Sequence, residues 1–347
     1  LSSTATAGSS RTLTDSVQTM TVDRYNNYRI LITGGTGFVG TWLTEMLIYL
    51  NQNFNFNITN YLLSRNITPK KNYSEFNYIH FIKSDVKNVK ELPNTINYVL
   101  HAAGTPDSRE HVSNSIKTID TFYKGTQNIF DLASRLPHLI KIIHFSSNKI
   151  FGSNYSTTPI RENTTTIIGY NNQDVYPESK RISETLCKAY MSELRMPIII
   201  VRPFAFIGPF QKLDKPWAIN NFIRDAILGE PIRILGNELT TKSYMYGSDL
   251  ANCILNILAQ GKVGETYNLG SSNPITLFDL ATKIKKFINN EIEIKIRSSK
   301  DQYIKTSFDV PDTSKVENEL NFKPSFGIDE ALKRTILWNR LNGQNNG

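Results

Sequence analysis

The segment Thr33-Gly34-Gly35-Thr36-Gly37-Phe38-Val39-Gly40 constrains the chain most. An apolar run, Ile30-Leu31-Ile32, leads into glycines at a three-residue spacing, Gly34, Gly37 and Gly40. A helical stripe of Trp42, Leu43, Met46, Leu47 and Leu50 follows. This order predicts a strand, a tight turn and a helix whose N-terminus opens outward. The first N–H groups of a helix have no partner within it and carry partial positive charge, so they hold phosphate. Gly34 allows the turn, Gly37 lets backbone approach a pyrophosphate, and Gly40 lets the helix pack close to the strand. Three glycines also occur in ordinary turns. The flanking strand and helix favour a dinucleotide site, with Phe38 and Val39 beside the glycines at the cofactor.

The rhythm continues. Ile58 to Asn66 reads as a second strand ending in Ser64-Arg65-Asn66. An acid at this point would bond an adenosine 2′-hydroxyl, whereas an Arg accommodates a 2′-phosphate. Arg65 therefore leans the cofactor toward NADP(H), while an Arg stacked on adenine keeps NAD admissible. Ile79 to Val86 is a third strand, and Asp85 at its end can bond the adenine amino group, with Val86 alongside. Tyr98 to Gly104 is a fourth, whose small residues Ala102, Ala103 and Gly104 leave room for a cofactor. Ser115 to Ala133 reads as a helix, and Ile140 to Ser147 as a fifth strand ending in hydroxyls. Alternating strands and helices of this length predict a parallel, doubly wound α/β sheet. His101 and His144, inside apolar strands, read as core residues.

Bulk properties narrow the class. The chain has 347 residues, 39% hydrophobic and 20% charged, which is ordinary globular composition. Its net charge is +8. Lys and Arg are scattered, the longest basic run being Lys70-Lys71, so no nucleic-acid interface is expected. The two cysteines, Cys187 and Cys253, have no metal-ligand spacing, so neither metal nor disulfide is expected. No apolar run approaches the roughly 20 residues of a membrane span. The Ser- and Thr-rich start lacks the apolar centre of a signal peptide. A cytoplasmic, soluble protein is expected, with residues 1–24 a flexible lead-in that admits one helical turn at Asp15 to Met20.

Tyr176-Pro177-Glu178-Ser179-Lys180 opens a further helix, with Pro in its first turn. Tyr176 and Lys180, four apart, share one face. A phenol has a pKa near 10. A neighbouring ammonium and a nicotinamide cation both favour the phenolate. Lys180 can also bond the cofactor ribose, and Ser147 can donate to the same substrate oxygen as Tyr176. Together these can remove a hydroxyl proton while hydride leaves the carbon, or do the reverse.

With these residues in place the chain resembles an extended short-chain dehydrogenase/reductase of the NAD-dependent epimerase/dehydratase family. The matching pieces are residues 33–40, Phe145 to Gly152, Tyr176 to Lys180, Arg202 to Pro209, Lys242 to Leu250 and Tyr267 to Gly270. The resemblance implies a Rossmann-like domain over residues 25–204, a mainly sugar-binding lobe over 205–347, and a nucleoside-diphosphate sugar as substrate. It implies Ser147, Tyr176 and Lys180 as the catalytic set, and Pro203 and Phe204 against the nicotinamide. Asn221 would hold the diphosphate, and Lys242 stands where the family often has a phosphate-binding Arg. A homodimer through the helices after strands four and five is implied; Tyr123, Ile129, Phe130 and Leu186 either face that partner or pack on the sheet.

The chain also departs from the pattern. Family dehydratases carry Thr-Asp-Glu where this chain has Ser147-Asn148-Lys149, which disfavours a 4,6-dehydratase; an Asn-Lys pair occurs in 2-epimerases of the tyvelose type. Asn148 and Lys149 are placed at the substrate. Ala205 and Phe122 replace residues that are often Asn, and Arg297 or Lys300 stands in for a further family Arg. Asp249 reads as a helix cap. In the C-terminal part, Ile232 to Gly236 and Tyr267 to Gly270 read as strands. Thr276 to Ile288 reads as a capped helix, and Asp309 to Leu320 and Pro324 to Trp338 as two closing helical segments. The expected function is an NAD(P)-dependent nucleotide-sugar epimerase. An NADPH-dependent 4-ketoreductase is the alternative, ahead of a dehydratase or decarboxylase of the family or a non-catalytic dinucleotide sensor.

Overall fold

Seven parallel strands in the order β3-β2-β1-β4-β5-β6-β11 form the central sheet. They are β1 (Arg29–Thr33), β2 (Thr59–Ser64), β3 (Ile79–Lys83), β4 (Tyr98–His101), β5 (Lys141–Phe145), β6 (Ile198–Pro203) and β11 (Thr266–Leu269). The computed structural model describes residues 27–67, 73–105, 107–152, 157–165, 174–297 and 306–343. The expected lead-in over 1–24, with its turn at Asp15 to Met20, lies outside them, as do Lys70-Lys71 and Lys300.

The sheet is covered on both faces, which is why its strands read as nearly continuous apolar runs. Side chains alternate across it. Ile30, Ile32 and Leu100 face one layer, where helix α1 (Phe38–Phe54) packs with Trp42, Leu43 and Leu47. Leu31, Val99 and Ile142 face the other, against Ile129, Phe130 and Cys187. The segment after β4 is a chain of short helices: α2 (Ser108–Ser113), α3 (Ser115–Phe122) and α4 (Lys124–Ala133). The single helix expected from Ser115 to Ala133 is thus interrupted at Tyr123, although hydrogen bonds continue across the junction from Tyr123 to Ile119 and from Gln127 to Tyr123. Of the four residues weighed for a partner face, Ile129 and Phe130 are fully buried on the sheet. Helix α5 (Val175–Leu194) follows β5.

Beyond β6 lie β7 (Ala205–Ile207), α6 (Ala218–Ile227), β8 (Ile232–Ile234), β9 (Thr241–Lys242), β10 (Tyr244–Tyr246) and α7 (Gly247–Gln260). After β11 come β12 (Ile275–Thr276), α8 (Leu277–Ile288), β13 (Ile294–Ile296), β14 (Phe308–Asp309), α9 (Ser314–Leu320) and α10 (Ile328–Gly343). Three small sheets, β7–β10, β8–β13 and β12–β9–β14, carry the lobe. Tyr267 to Leu269 belongs to β11, which returns to pair with β6 in the central sheet. Thr276 caps α8 by accepting from Asp279 N at 3.0 Å. Two expectations change. Asp309 is not in a helix but in β14, paired with Lys242 of β9. Asp249 is not a cap; its Oδ2 accepts from Phe326 N at 2.9 Å and ties the segment before α10 to α7. Both cysteines are free and buried. Among the described residues no helix is long and apolar enough to cross a membrane.

The first turn of α1 sits directly on the glycine turn. A Cβ at Gly40 would fall 2.6 Å from Gly34 O and from Gly35 Cα. Gly40→Ala must therefore push helix and turn apart. It should cost about 1–3 kcal/mol of stability and lower dinucleotide affinity at least tenfold. Gly236→Ala, where nothing lies within 4 Å, should stay within about 0.5 kcal/mol. Urea unfolding and fluorescence titration with NAD(H) and NADP(H) check both.

Candidate active site

The carboxyl ends of the central strands open into a cavity of about 1080 Å³. Single small-molecule sites span roughly 300–1,000 Å³, so this one suits two ligands side by side. The expected residues converge on it. Gly34 and Gly37 come from the turn after β1, Phe38, Val39 and Gly40 from the first turn of α1, Arg65 follows β2, and Asp85 and Val86 follow β3. Ala102, Ala103 and Gly104 follow β4; Ser147, Asn148 and Lys149 follow β5; Tyr176 and Lys180 reach in from α5. Pro203, Phe204 and Lys242 complete the set. Asn221, on α6, is not among the lining residues, where Trp217 and Ala218 stand instead. Arg297 does not line it either and pairs its backbone with β8.

The glycine turn fits a dinucleotide. Gly34 has φ +72°, and its N–H donates to Leu63 O at 2.8 Å. Helix α1 starts from an extended Gly37 with no side-chain cap and no acid in its first turn. Its N–H groups are therefore available to an anion. Thr36 Oγ1 shares a 2.8 Å hydrogen bond with Ser64 Oγ, binding the turn to the end of β2 beside exposed Arg65. Beneath, His101 bridges Thr33 Oγ1 at 2.8 Å and Thr126 Oγ1 at 3.1 Å. Burial, aided by the Lys180 charge, pulls its imidazole down to about 3, so it stays neutral. Thr33 Oγ1 also accepts from Ala103 N at 3.1 Å, which fixes the small-residue floor. His101 is thus a satisfied support.

At the other end Ser147, Tyr176 and Lys180, the expected catalytic residues, line the same cavity. Ser147 accepts from Lys149 N at 3.2 Å and caps the short turn Asn148–Phe151, which holds its hydroxyl at the cavity. Burial pushes the Tyr176 phenol above its ordinary value, and a hydrogen bond with Ser147 works against it. Lys180, buried, donates from Nζ to Phe145 O at 2.6 Å and lies 4.2 Å from the centre of the Phe122 ring. Burial pulls its ammonium down to about 7, with Glu184 opposing. Here the Lys180 ammonium is turned to the Phe145 carbonyl and the Phe122 face.

The sequence missed other groups. Asp309 accepts from Lys242 Nζ at 2.7 Å and from Lys149 Nζ at 3.4 Å. Burial raises its carboxyl, but the two lysines overcome this and hold it at about 2. Asp107 accepts from Arg109 Nε at 3.0 Å and from Lys215 Nζ at 3.2 Å, joining the β4 side of the cavity to the segment before α6. His111 stacks on Tyr176. These residues lie in short polar segments, where no periodicity marks them.

Comparison with known proteins agrees with this architecture. The model of the NAD dependent epimerase/dehydratase family matches residues 30–270. The chain belongs to this family. It is 28% identical over 313 residues to UDP-glucuronic acid decarboxylase 1 of Xenopus tropicalis, covering 90% of this chain and 72% of that protein. Its fold matches UDP-glucose 4-epimerase of Thermotoga maritima with a TM-score of 0.77 at 19% identity, over 90% of this chain and 99% of that one. It also matches dTDP-glucose 4,6-dehydratase of Bacillus anthracis, solved with NAD, with a TM-score of 0.75 at 22% identity, over 91% and 98%. Members of the family are NAD-dependent enzymes, and this chain is an enzyme of that kind.

The burial of Lys180 carries a signature in stability. Its folded pKa, about 7, lies below its ordinary 10.5, so between these values the unfolded chain holds more protons. This group therefore makes stability rise with pH across that window, by up to about 1.4 kcal/mol per pH unit. Lys180→Met should remove the rise. Urea unfolding of both proteins from pH 6 to 10 measures the difference.

Proposed function

We propose that the protein is a nucleoside-diphosphate-sugar epimerase that oxidises a sugar carbinol, most simply at C4, and returns the hydride to the opposite face. One observation carries this reading. Ser147 and Tyr176 meet at the cavity, and the residues after Ser147 are Asn148 and Lys149 in place of carboxylates. The carboxylates among the described lining residues are Asp85, on the far side beyond β2 and β3, and Asp309, already shared by two ammonium groups. Neither is placed to eliminate water beside Ser147.

A bound NAD(P) supplies the hydride acceptor. Tyr176 takes the carbinol proton, and Ser147 donates a hydrogen bond to the same oxygen as it becomes a carbonyl. Lys180, released from Phe145 O toward a ribose hydroxyl, adds positive charge that favours the phenolate. Lys242 and Lys149 hold the diphosphate end; as ammonium groups they supply charge without the bidentate fork of an Arg. Reversal of the same steps on the other face of the carbonyl gives the epimer with no net redox change.

A second reading rests on Arg65: with no acid at the end of β2, the site admits NADPH and a 4-keto-6-deoxysugar reductase. The names of the relatives bring a third outcome, decarboxylation of a UDP-uronate. A homodimer belongs to the same proposal, supported by exposed Ile116, Ile119 and Ile182 on α3 and α5.

The test is to denature the purified protein, identify released nucleotide by mass spectrometry, and follow UDP- and dTDP-sugars by NMR. Tightly held NAD with C4 interconversion and no net NAD(P)H change is expected. Stoichiometric NADPH consumption would move the assignment to a ketoreductase, and CO₂ release from UDP-glucuronate to a decarboxylase. Tyr176→Phe should slow turnover at least about hundredfold; full activity in that variant would sink every one of these readings.

A further inference from the structure

The imidazole of His111 lies flat on the phenol ring of Tyr176, with ring centres 4.1 Å apart and planes 3° from parallel. Aromatic pairs left to themselves settle offset or edge-on with centres about 4.5–7 Å apart. This pair is closer and nearly parallel. His111 is fixed first. Its Nε2–H donates to Thr105 O at 2.7 Å, and since a carbonyl only accepts, this sets the tautomer. Its backbone N–H donates to Asp107 O at 3.2 Å, in the turn that Asp107 locks to Arg109 and Lys215. Three charged groups act on the ring: Asp107 and Glu110 draw its pKa up, and Lys180 draws it down. Burial outweighs them and lowers it.

Tyr176 needs such a support. It is the second residue of α5, and that helix start has no side-chain cap. Phe122 offers only its edge, with centres 5.4 Å apart and planes 74° from parallel. Lys180 is engaged with Phe145 O and the Phe122 face. The face of the phenol is thus held by His111.

We propose that His111 is a positioning residue: held by the Thr105 carbonyl, it stacks on Tyr176 and fixes the phenol in the orientation from which its oxygen exchanges a proton with the substrate. The kinetic part rests on the function proposed above; the stack itself does not.

Misplacing a reacting group by about 1 Å can cost on the order of a hundredfold in rate. His111→Ala should lower kcat about tenfold to hundredfold, with KM for the nucleotide sugar and Kd for NAD⁺ within about twofold. His111→Phe, which keeps the flat face, should restore kcat to within a few-fold. His111→Gln, which keeps an N–H for Thr105 but has no ring, should not. Wild-type kcat in His111→Ala, or rescue by Gln equal to that by Phe, overturns the proposal. A second measurement needs no turnover. In NMR spectra of the full chain with NAD⁺, the Tyr176 ring protons, assigned by their loss in Tyr176→Phe, should show an upfield ring-current shift. That shift should persist in His111→Phe and vanish in His111→Ala. Its absence from the wild type overturns the proposal whatever reaction the enzyme performs. If no nucleotide sugar is turned over, the proposed function fails while the shift still decides whether His111 holds the ring.

Discussion

The close seat of α1 on the glycine turn is the contact on which the rest of the architecture depends. Only a residue without Cβ fits at position 40, because the Gly34 carbonyl and the Gly35 backbone already occupy that space. The approach aims the uncapped helix start into the cavity and sets the direction of the whole helix. Two residues on, Trp42 reaches from α1 into the C-terminal half. Its Nε1 donates to Pro209 O at 3.2 Å, and its ring packs edge-on against Phe210 and Tyr246. A Cβ at Gly247 would meet that indole at 2.1 Å, so the start of α7 is shaped to the same side chain. One helix thus places its uncapped N-terminus at the cavity and docks the C-terminal part through Trp42.

A column of buried charge does the same for the end of the cavity at Tyr176 and Lys180. Four residues after Lys180 on α5, Glu184 accepts from Nε and Nη2 of Arg202 from β6, at 2.9 and 2.8 Å. Arg202 Nη1 donates to Glu162 O at 2.6 Å, and Glu162 Oε1 accepts from Asn268 N of β11 at 2.8 Å. The pair is nearly dry, with side chains 12% and 9% exposed. A buried ion pair of this kind adds little net stability over an apolar pair, but loss of one partner strands the other. Its effect is geometric: α5, β6 and β11 are held in one register. Lys180 therefore reaches the Phe145 carbonyl from a fixed helix, with Glu184 tempering its desolvation.

How much of this could be read in advance follows from how each signal is built. The strand-turn-helix at Gly34 to Gly40 announces itself because sterics leave few alternatives at those positions, and the Tyr176–Lys180 spacing fixes a shared helix face. The alternating apolar runs forecast the parallel sheet. What stayed hidden depends on the meeting of segments distant in sequence. Asp309 reads as the start of a helix, yet β-pairing with Lys242 draws it into a strand. Asp249 has the place of a cap, but the distant Phe326 amide claims it. His111 has no apolar period around it, and only the tertiary fold brings its ring to Tyr176. Asn221 rests on resemblance alone; its neighbours Trp217 and Ala218 line the cavity.

Charge shows most clearly how the two halves are joined. Each seam between them is a carboxylate shared by two cations: Asp107 by Arg109 and Lys215, Asp309 by Lys149 and Lys242. At Asp309 two ammonium groups share one carboxylate, whereas Asp214 and Glu110 also act on Arg109 beside Asp107, so the surplus of positive charge lies on the Lys149–Lys242 side. Of the scattered basic residues, Arg65, Arg109, Lys149, Lys180 and Lys242 line the opening, against Asp85 and Asp309. A surplus of this sign draws anionic small molecules inward and, being partly buried, is screened less than an open surface patch. Asp309 cannot serve as a base while both lysines hold it ionised and engaged. An anion at Lys149 and Lys242 would compete with that carboxylate for the same ammonium protons, the contacts that also join β14 and β9 to the segment after β5.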